Sequence, residues 1–222
     1  MLRFIKFIVA SMLFFVSPAF ADDNVVAVPS NEARVWANTK GNELLQTLAL
    51  TDAQQKFANL DKMMKEDVNL DYIGKFVIGK YARLMNTEQK QKYNDLFHRY
   101  ALSLYKKSNF NFDSSAINFS IESVTEFNKY TNVSCLVDAS DLVNGIKIEK
   151  IPVRFKLIRG DNNQIQAVDV EISNVSMVIE YRKRFYQMII DEKGDMVSFL
   201  EKFEDKVKAN EEAVVQKLSK PE

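Results

Sequence analysis

The hydrophobic pattern of this chain changes its period twice, and these changes limit the folds that it can adopt. Up to about Tyr105, apolar side chains recur every three or four residues, as on the buried side of helices. From Ile117 to Ile172 they alternate, as in strands with one covered face. Helical spacing returns after Ser176. We therefore predict a single α+β domain in which helices pack on one face of a curved, mainly antiparallel sheet.

The first half of the chain is expected to be helical. The predicted helices cover residues 30–48, 51–64, 68–84 and 86–105. Thr51-x-x-Gln54 is typical of a capping box at the start of the second helix. Gly74 and Gly79 lie inside the third, where each glycine costs about 1 kcal/mol relative to alanine. This cost indicates close approach of a neighbour, which leaves two explanations open: tight packing on the sheet, or the wall of a cavity.

The second half should contain the sheet and two further helices. The predicted strands cover residues 117–121, 133–137, 146–148, 151–157 and 168–172. The apolar phase changes beside Pro152, which predicts a bulge or an edge there, and residues 160–163 form a turn signal. A helix over residues 176–191 should stop near Lys193-Gly194. Asp195 can cap the last helix, and we expect that helix to be charged and frayed from about Lys208.

Residues 1–21 have the pattern of a cleavable secretory signal. Arg3 and Lys6 precede an apolar run of about ten residues, too short to span a bilayer, and Ala19-Phe20-Ala21 is a small-x-small cleavage site. We expect residues 22–222 to form one exported domain. The whole chain carries 30 basic and 30 acidic residues, and loss of the signal removes two basic ones. This balance argues against nucleic acid, whose binding requires a basic surface.

The sequence contains no motif of a catalytic or metal site. Its one histidine, His98, lies at the edge of a helical stripe, and its one cysteine, Cys135, alternates with valines as a buried strand residue does. Asp169 and Tyr181 are the only pair that suits acid–base chemistry. Asp169 points opposite its valine neighbours, so we expect it to face water. We therefore predict that the protein is not an enzyme and uses no metal or cofactor.

Two segments carry a family resemblance. In the first, residues 68–71, 77–81, 87–89 and 97–105 follow the order of a V-D-F-D-like start, a V-L-G-R-Y-like helix, a T-P-E-Q-like turn and an aromatic helix. The second keeps, in order, Val168, Asp169, Val170, Val175, Ser176, Met177, Val178, Tyr181, Arg182 and Phe185. Together these segments resemble the MlaC family of periplasmic phospholipid-binding proteins, also called toluene-tolerance auxiliary proteins. The chain departs from the family in three respects: Gln166-Ala167 offers no tryptophan, Asn174 replaces a glycine, and the last helix is longer.

The resemblance implies a carrier with phospholipid as its cargo. Such a protein shuttles glycerophospholipids between an outer-membrane lipoprotein complex and an inner-membrane ABC transporter with an MCE-domain subunit, and so maintains outer-membrane lipid asymmetry. It implies a periplasmic location and an apolar cavity between the sheet and the helices. We expect a monomer. Helix face and strand parity select the residues predicted to line the cavity: Val68, Ile73, Phe76, Val77, Tyr81, Phe97, Tyr105, Phe155, Val168, Val170, Ile172, Val175, Met177, Val178, Tyr181, Phe185 and Met188.

A periplasmic chaperone or assembly module is the alternative. The charged last helix and the basic clusters Lys106-Lys107 and Arg182-Lys183-Arg184 could bind partner proteins or lipid headgroups, and such charges are more often simply solvated helix faces. Such a protein would carry no stoichiometric lipid. Composition does not separate the two functions, because a filled core and a filled pocket need the same apolar side chains.

Overall fold

The computed structural model describes residues 25–107, 117–138, 150–160 and 162–218. The predicted signal at residues 1–21, the predicted strand at residues 146–148 and position 161 of the predicted turn lie outside these ranges. Within them, no helix is long and apolar enough to cross a bilayer.

The helices lie where the periodicity of the sequence predicts them, in both halves of the chain. The helices are α1 (Ser30–Ala49), α2 (Ala53–Asp67), α3 (Leu70–Ile78), a 3₁₀ helix (Gly79–Leu84), α4 (Thr87–Lys107), α5 (Met177–Asp191) and α6 (Met196–Leu218). The third predicted helix is divided, because Gly79 adopts a positive φ of 48° and ends α3 at Ile78.

The helix caps follow local chemistry. At the start of α2, the capping side chain is Asp52 and not the predicted Thr51, since Asp52 accepts a hydrogen bond of 2.8 Å from the Gln55 amide. At the start of α4, Asn86 and Gln89 form a reciprocal capping box with distances of 2.8 and 3.0 Å.

Five strands form one antiparallel sheet in sequence order. They are β1 (Asn118–Glu126), β2 (Thr131–Asp138), β3 (Ile151–Arg159), β4 (Ile165–Ile172) and β5 (Val175–Ser176). Together with the helices, this sheet confirms the predicted α+β class. A two-residue turn joins β4 to β5, with φ of 51° at Ser173 and 66° at Asn174. Asn174 thus adopts the left-handed conformation that a glycine would supply.

The bulges are not where the sequence predicts one. Pro152 pairs with Leu136 in a regular ladder near the start of an interior strand, so the predicted bulge or edge at this proline is wrong. The register shifts instead in β1 between Ile121 and Ser123, and in the β3–β4 ladder, where Val168 is the extra residue of β4. A bulge turns the residues that follow it to the opposite face of the sheet.

Two apolar layers contact the sheet. The first, the sheet core, lies between α1 and the face that carries Val133, Cys135 and Leu157. The second, the helical core, joins α3, α4, α5 and α6 and touches the sheet at Ile158 and Val168. Because successive residues of a strand point to opposite faces, Leu157 and Ile158 belong to different layers.

The last helix stays packed beyond the point where fraying was predicted. It continues to Leu218, and Val207 and Val214 are buried on its inner side. Val214 packs with Leu48, Phe57 and Leu60 of α1 and α2. The predicted fraying from Lys208 is therefore wrong, because buried contacts hold this part of α6 to the rest of the molecule.

Candidate functional site

The helical core is filled with aromatic side chains. Phe185 is 1% exposed. The centroid of its ring lies 4.9 Å from that of Phe203, 5.8 Å from that of Tyr100 and 6.0 Å from that of Phe97. These edge-to-face arrangements are typical of a packed protein interior. Burial raises the pKa of Tyr93 well above its ordinary value, and the Tyr93 hydroxyl donates a hydrogen bond of 2.9 Å to the Gly74 carbonyl.

Most of the residues predicted to line a cavity lie in this helical core. Ile73, Val77, Phe97, Val168, Val178 and Phe185 are buried in it, and Val68, Phe76, Tyr81, Tyr181 and Met188 pack against it. Of the remaining residues, Tyr105 packs in a small cluster with Leu48, Phe57, Leu60 and Val214, and Met177 is half-buried at the start of α5.

Both glycines of the third predicted helix face other helices. A Cβ added at Gly74 would lie 3.1 Å from the Phe97 ring of α4. A Cβ at Gly79 would clash with the Tyr186 hydroxyl and lie 2.9 Å from Nη2 of Arg182, both on α5. The close neighbours of these two positions are thus helix side chains and not the sheet.

A second apolar surface, less deeply buried, lies on the face of the sheet that α1 covers in part. Phe155 pairs with Val170, Val153 pairs with Ile172, and Ile172 pairs with Val175, so these five side chains share one face. Val153, Phe155 and Val170 are half-buried, whereas Ile172 is 43% exposed and Val175 is 44% exposed. We call these five residues the open strip.

The open strip borders the sheet core and carries no charge. Phe155 also pairs with Val133, and its ring meets the edge of Trp36 from α1 at a centroid distance of 6.2 Å. Helix α1 packs mainly on β1 and β2, which leaves the β3–β4 part of this face less covered. An uncharged surface of this kind suits an apolar ligand group.

The strip brings together four of the predicted lining residues: Phe155, Val170, Ile172 and Val175. Sequence reasoning missed Val153 and Trp36. Val153 could have been found, because it has the strand parity of Phe155. Trp36 gave no such signal, because its place beside β3 depends on the packing of a distant helix.

Asp169 does not face water, so that prediction is wrong. Its side chain is buried and accepts hydrogen bonds from Ser176 Oγ at 2.6 Å and from the Val178 amide at 3.2 Å. The bulge at Val168 shifts the alternation of β4, and Asp169 helps Ser176 to cap α5. The ring of Tyr181 packs against Tyr100, and burial raises the pKa of Tyr181. These contacts give Asp169 and Tyr181 structural roles.

The single cysteine and histidine lie where the sequence predicts them. Cys135 is buried, and burial raises its pKa to about 12, so it stays a thiol. His98 is partly exposed, with Nε2 2.9 Å from Asp71 Oδ1. In the described part of the chain, no three His, Cys, Asp or Glu side chains are placed to hold a metal ion.

A surface groove between α4 and α6 is unsuited to apolar ligands. Its volume is about 320 Å³, and its lining is Glu88, Gln91, Lys92, Asp95, Leu96, Arg99 and Glu204. Five of these seven side chains are charged, and Lys92 pairs with Glu204 across the two helices at 2.7 Å. The open strip is therefore the better candidate for a ligand-binding surface.

Comparisons with known proteins agree with this architecture. The family model described as "MlaC protein" matches residues 39–205, from α1 into α6. A solved structure, described as the phospholipid-binding protein from Ralstonia solanacearum in complex with a phospholipid, matches with a TM-score of 0.64 at 15% sequence identity. The alignment covers 80% of this chain and 98% of that one, and at this identity it shows a shared fold. No curated protein matches the sequence.

Proposed function

This chain belongs to the MlaC protein family, and we propose that it is a periplasmic phospholipid carrier. Its cargo would be a glycerophospholipid moved between the outer and the inner membrane, which would maintain the lipid asymmetry of the outer membrane. The secretory pattern of residues 1–21 supports export. The lipid named in the description of the Ralstonia structure supports the class of cargo.

The open strip is the observation that carries this proposal. Apolar side chains stand side by side on β3, β4 and β5, and two of them, Ile172 and Val175, are more than two-fifths exposed. A contiguous exposed apolar patch of this kind is typical of a ligand-binding or interaction site. We propose that the acyl chains lie along the strip, beside Trp36 and the start of α5, and that the helical core supports this surface as a rigid layer.

The proposed route of the lipid requires partner proteins. By family resemblance, these are an outer-membrane lipoprotein complex and an inner-membrane ABC transporter with an MCE-domain subunit. The chain has no nucleotide-binding motif, so the energy for directional transport would come from a partner. The carrier itself would be a binding protein and not an enzyme.

Purification and lipid analysis test this function. The full precursor is expressed in a bacterial periplasm, the mature chain is purified in aqueous buffer, and organic extracts are examined by mass spectrometry. We expect at least one phospholipid per chain that survives gel filtration. A well-folded protein without lipid would overturn the carrier function and favour the chaperone or assembly module.

The position of the acyl chains is tested by adding bulk to the strip. Val170→Trp places a large ring beside Phe155, so it should displace acyl chains and lower the lipid recovered per chain by at least half. Ile190→Trp is the matched control, because Ile190 is 56% exposed on α5 and is not part of the strip. Circular dichroism should show that both variants keep the fold. If Val170→Trp carries as much lipid as the control, the strip is not the acyl-binding surface.

A further inference from the structure

Two cationic side chains share a group of aromatic rings at the junction of α3 and α5. Arg182 lies over the ring of Phe76 at 4.7 Å and over that of Tyr186 at 5.1 Å. Lys80 Nζ lies 5.1 Å from the centroid of Tyr81 and 5.6 Å from that of Tyr186. We call these five residues the ring cluster.

The backbone turn at Gly79 creates this cluster. Its positive φ ends α3 and brings the 3₁₀ helix against α5, close to Arg182 and Tyr186. The Tyr186 hydroxyl accepts a hydrogen bond of 2.8 Å from Arg182 Nη2 and one of 3.3 Å from the Lys80 amide. The rings of Tyr81 and Tyr186 meet edge to face at 4.8 Å. Both cations thus lie over aromatic rings, and the Tyr186 hydroxyl also holds the Arg182 guanidinium and the backbone of Lys80.

The two cations of the cluster differ from a neighbouring lysine in their charge partners. Within the described residues, neither Lys80 nor Arg182 forms an ion pair with a carboxylate, whereas the adjacent Lys183 pairs with Glu180 at 2.6 Å. Two like charges near the same ring repel each other. An anion placed between them would remove this repulsion and accept charge-assisted hydrogen bonds from both groups.

The cluster lies close to the open strip along the chain. Val175 belongs to the strip, α5 begins two residues later, and Arg182 is five residues into that helix, about 8 Å along its axis. Ile179, 41% exposed, stands between them and is a neighbour of Arg182 on the helix surface. An exposed apolar side chain on α5 therefore lies between the last strip residue and Arg182 along the chain.

From this arrangement we propose that Lys80 and Arg182 bind a phosphate oxyanion, namely the phosphodiester of the carried phospholipid. The acyl chains would occupy the strip, and the headgroup phosphate would lie between the ammonium and guanidinium groups. Arginine and lysine are the side chains best suited to phosphate oxygens. This inference rests on the proposed carrier function.

The test compares two lipids that differ in the phosphate. Phosphatidylglycerol and diacylglycerol with the same acyl chains are loaded separately, and the lipid retained per chain is measured after gel filtration. Lys80→Glu places a carboxylate beside Arg182 at an exposed position, so the fold should survive. Arg83→Glu, which makes the same charge change at an exposed site three residues away, is the control.

We expect Lys80→Glu to weaken retention of phosphatidylglycerol about tenfold, as the loss of a charge-assisted hydrogen bond does. Retention of diacylglycerol should not change, and Arg83→Glu should behave like the unaltered protein with both lipids. Equal loss of both lipids, or no loss of either, would overturn the proposal.

Titration with inorganic phosphate, followed by ³¹P NMR, separates the cluster from the carrier function. If the unaltered protein carries no lipid, the carrier function fails, but phosphate binding that is lost in Lys80→Glu and kept in Arg83→Glu would still support an oxyanion site. Binding of free phosphate with no effect of Lys80→Glu on phospholipid retention would overturn the assignment to the headgroup.

Discussion

At the scale of single residues, Gly79 is the position where one added methyl group should cost most. The residue has φ 48° and ψ −124°, and an added Cβ would meet both Tyr186 and Arg182. We expect Gly79→Ala to lower the free energy of unfolding by about 3 kcal/mol, from backbone strain and the clash together. Gly194→Ala is the control: φ is 82° but the space around the added Cβ is open, so about 1 kcal/mol of strain should remain. Equal losses in urea unfolding would show that packing at Gly79 adds nothing.

Asp169 shows why the environment of a single side chain could not be predicted from the sequence. Strict alternation places its side chain opposite Val168 and Val170, which predicts a solvent-facing carboxylate. Asp169 does lie opposite Val170, but the extra residue in β4 leaves Val168 in the helical core beside it, and α5 covers this face instead of water. The carboxylate of Asp169 and the hydroxyl of Ser176 satisfy amide groups at the start of that helix. A bulge depends on the register between two strands, and neither strand contains it as a local signal.

At the scale of elements, periodicity identified the helices and the strands within the described residues, and it failed mainly at their ends. Helix α6 is the clearest case. Its last turns look charged and weak, but Asn210 donates a hydrogen bond of 3.1 Å to Ser103, and Arg99 pairs with Glu211 at 2.6 Å. Both partners lie on α4, about a hundred residues away in sequence. Contacts at such a separation hold the end of the helix, and no local pattern contains them.

The contact between α4 and α6 should depend on pH. Hydrogen bonds from Lys208 and Lys92 lower the pKa of Glu204 to about 2. Because this value lies below the ordinary pKa of 4.5, the stabilising effect of the carboxylate is complete above pH 4.5 and is lost as the pH falls toward 2. We expect the melting temperature of Glu204→Gln to fall less between pH 6 and pH 3 than that of the unaltered protein. Glu201→Gln, at an exposed position on the same helix, should follow the unaltered protein, and high salt should reduce the difference.

At the scale of the whole molecule, the fold separates two apolar regions that look alike in sequence. The helical core uses helix positions three or four residues apart and the open strip uses alternate strand positions, but both patterns mark an apolar face, so periodicity predicted lining residues in both. Phe185 is enclosed by rings, whereas Val170 and Ile172 lie on a sheet face that the helices cover in part. Which apolar face is filled depends on how the helices pack together, and this is a property of the assembled chain.

Release of the lipid is also a property of the whole molecule, because it depends on how much of the lipid the protein buries. Burying roughly 30 methylenes of a diacyl lipid at about 0.8 kcal/mol each gives about 24 kcal/mol relative to water, more than the practical ceiling on affinity. A bilayer buries the same methylenes, so transfer from protein to membrane is close to neutral. We expect loaded protein that is diluted into buffer to keep its lipid for hours, whereas added phospholipid vesicles or a partner complex should exchange it faster. Fluorescent lipid separated by gel filtration measures both rates, with vesicle-free buffer as the control. Release into plain buffer within seconds would contradict the burial of both acyl chains on which this expectation rests.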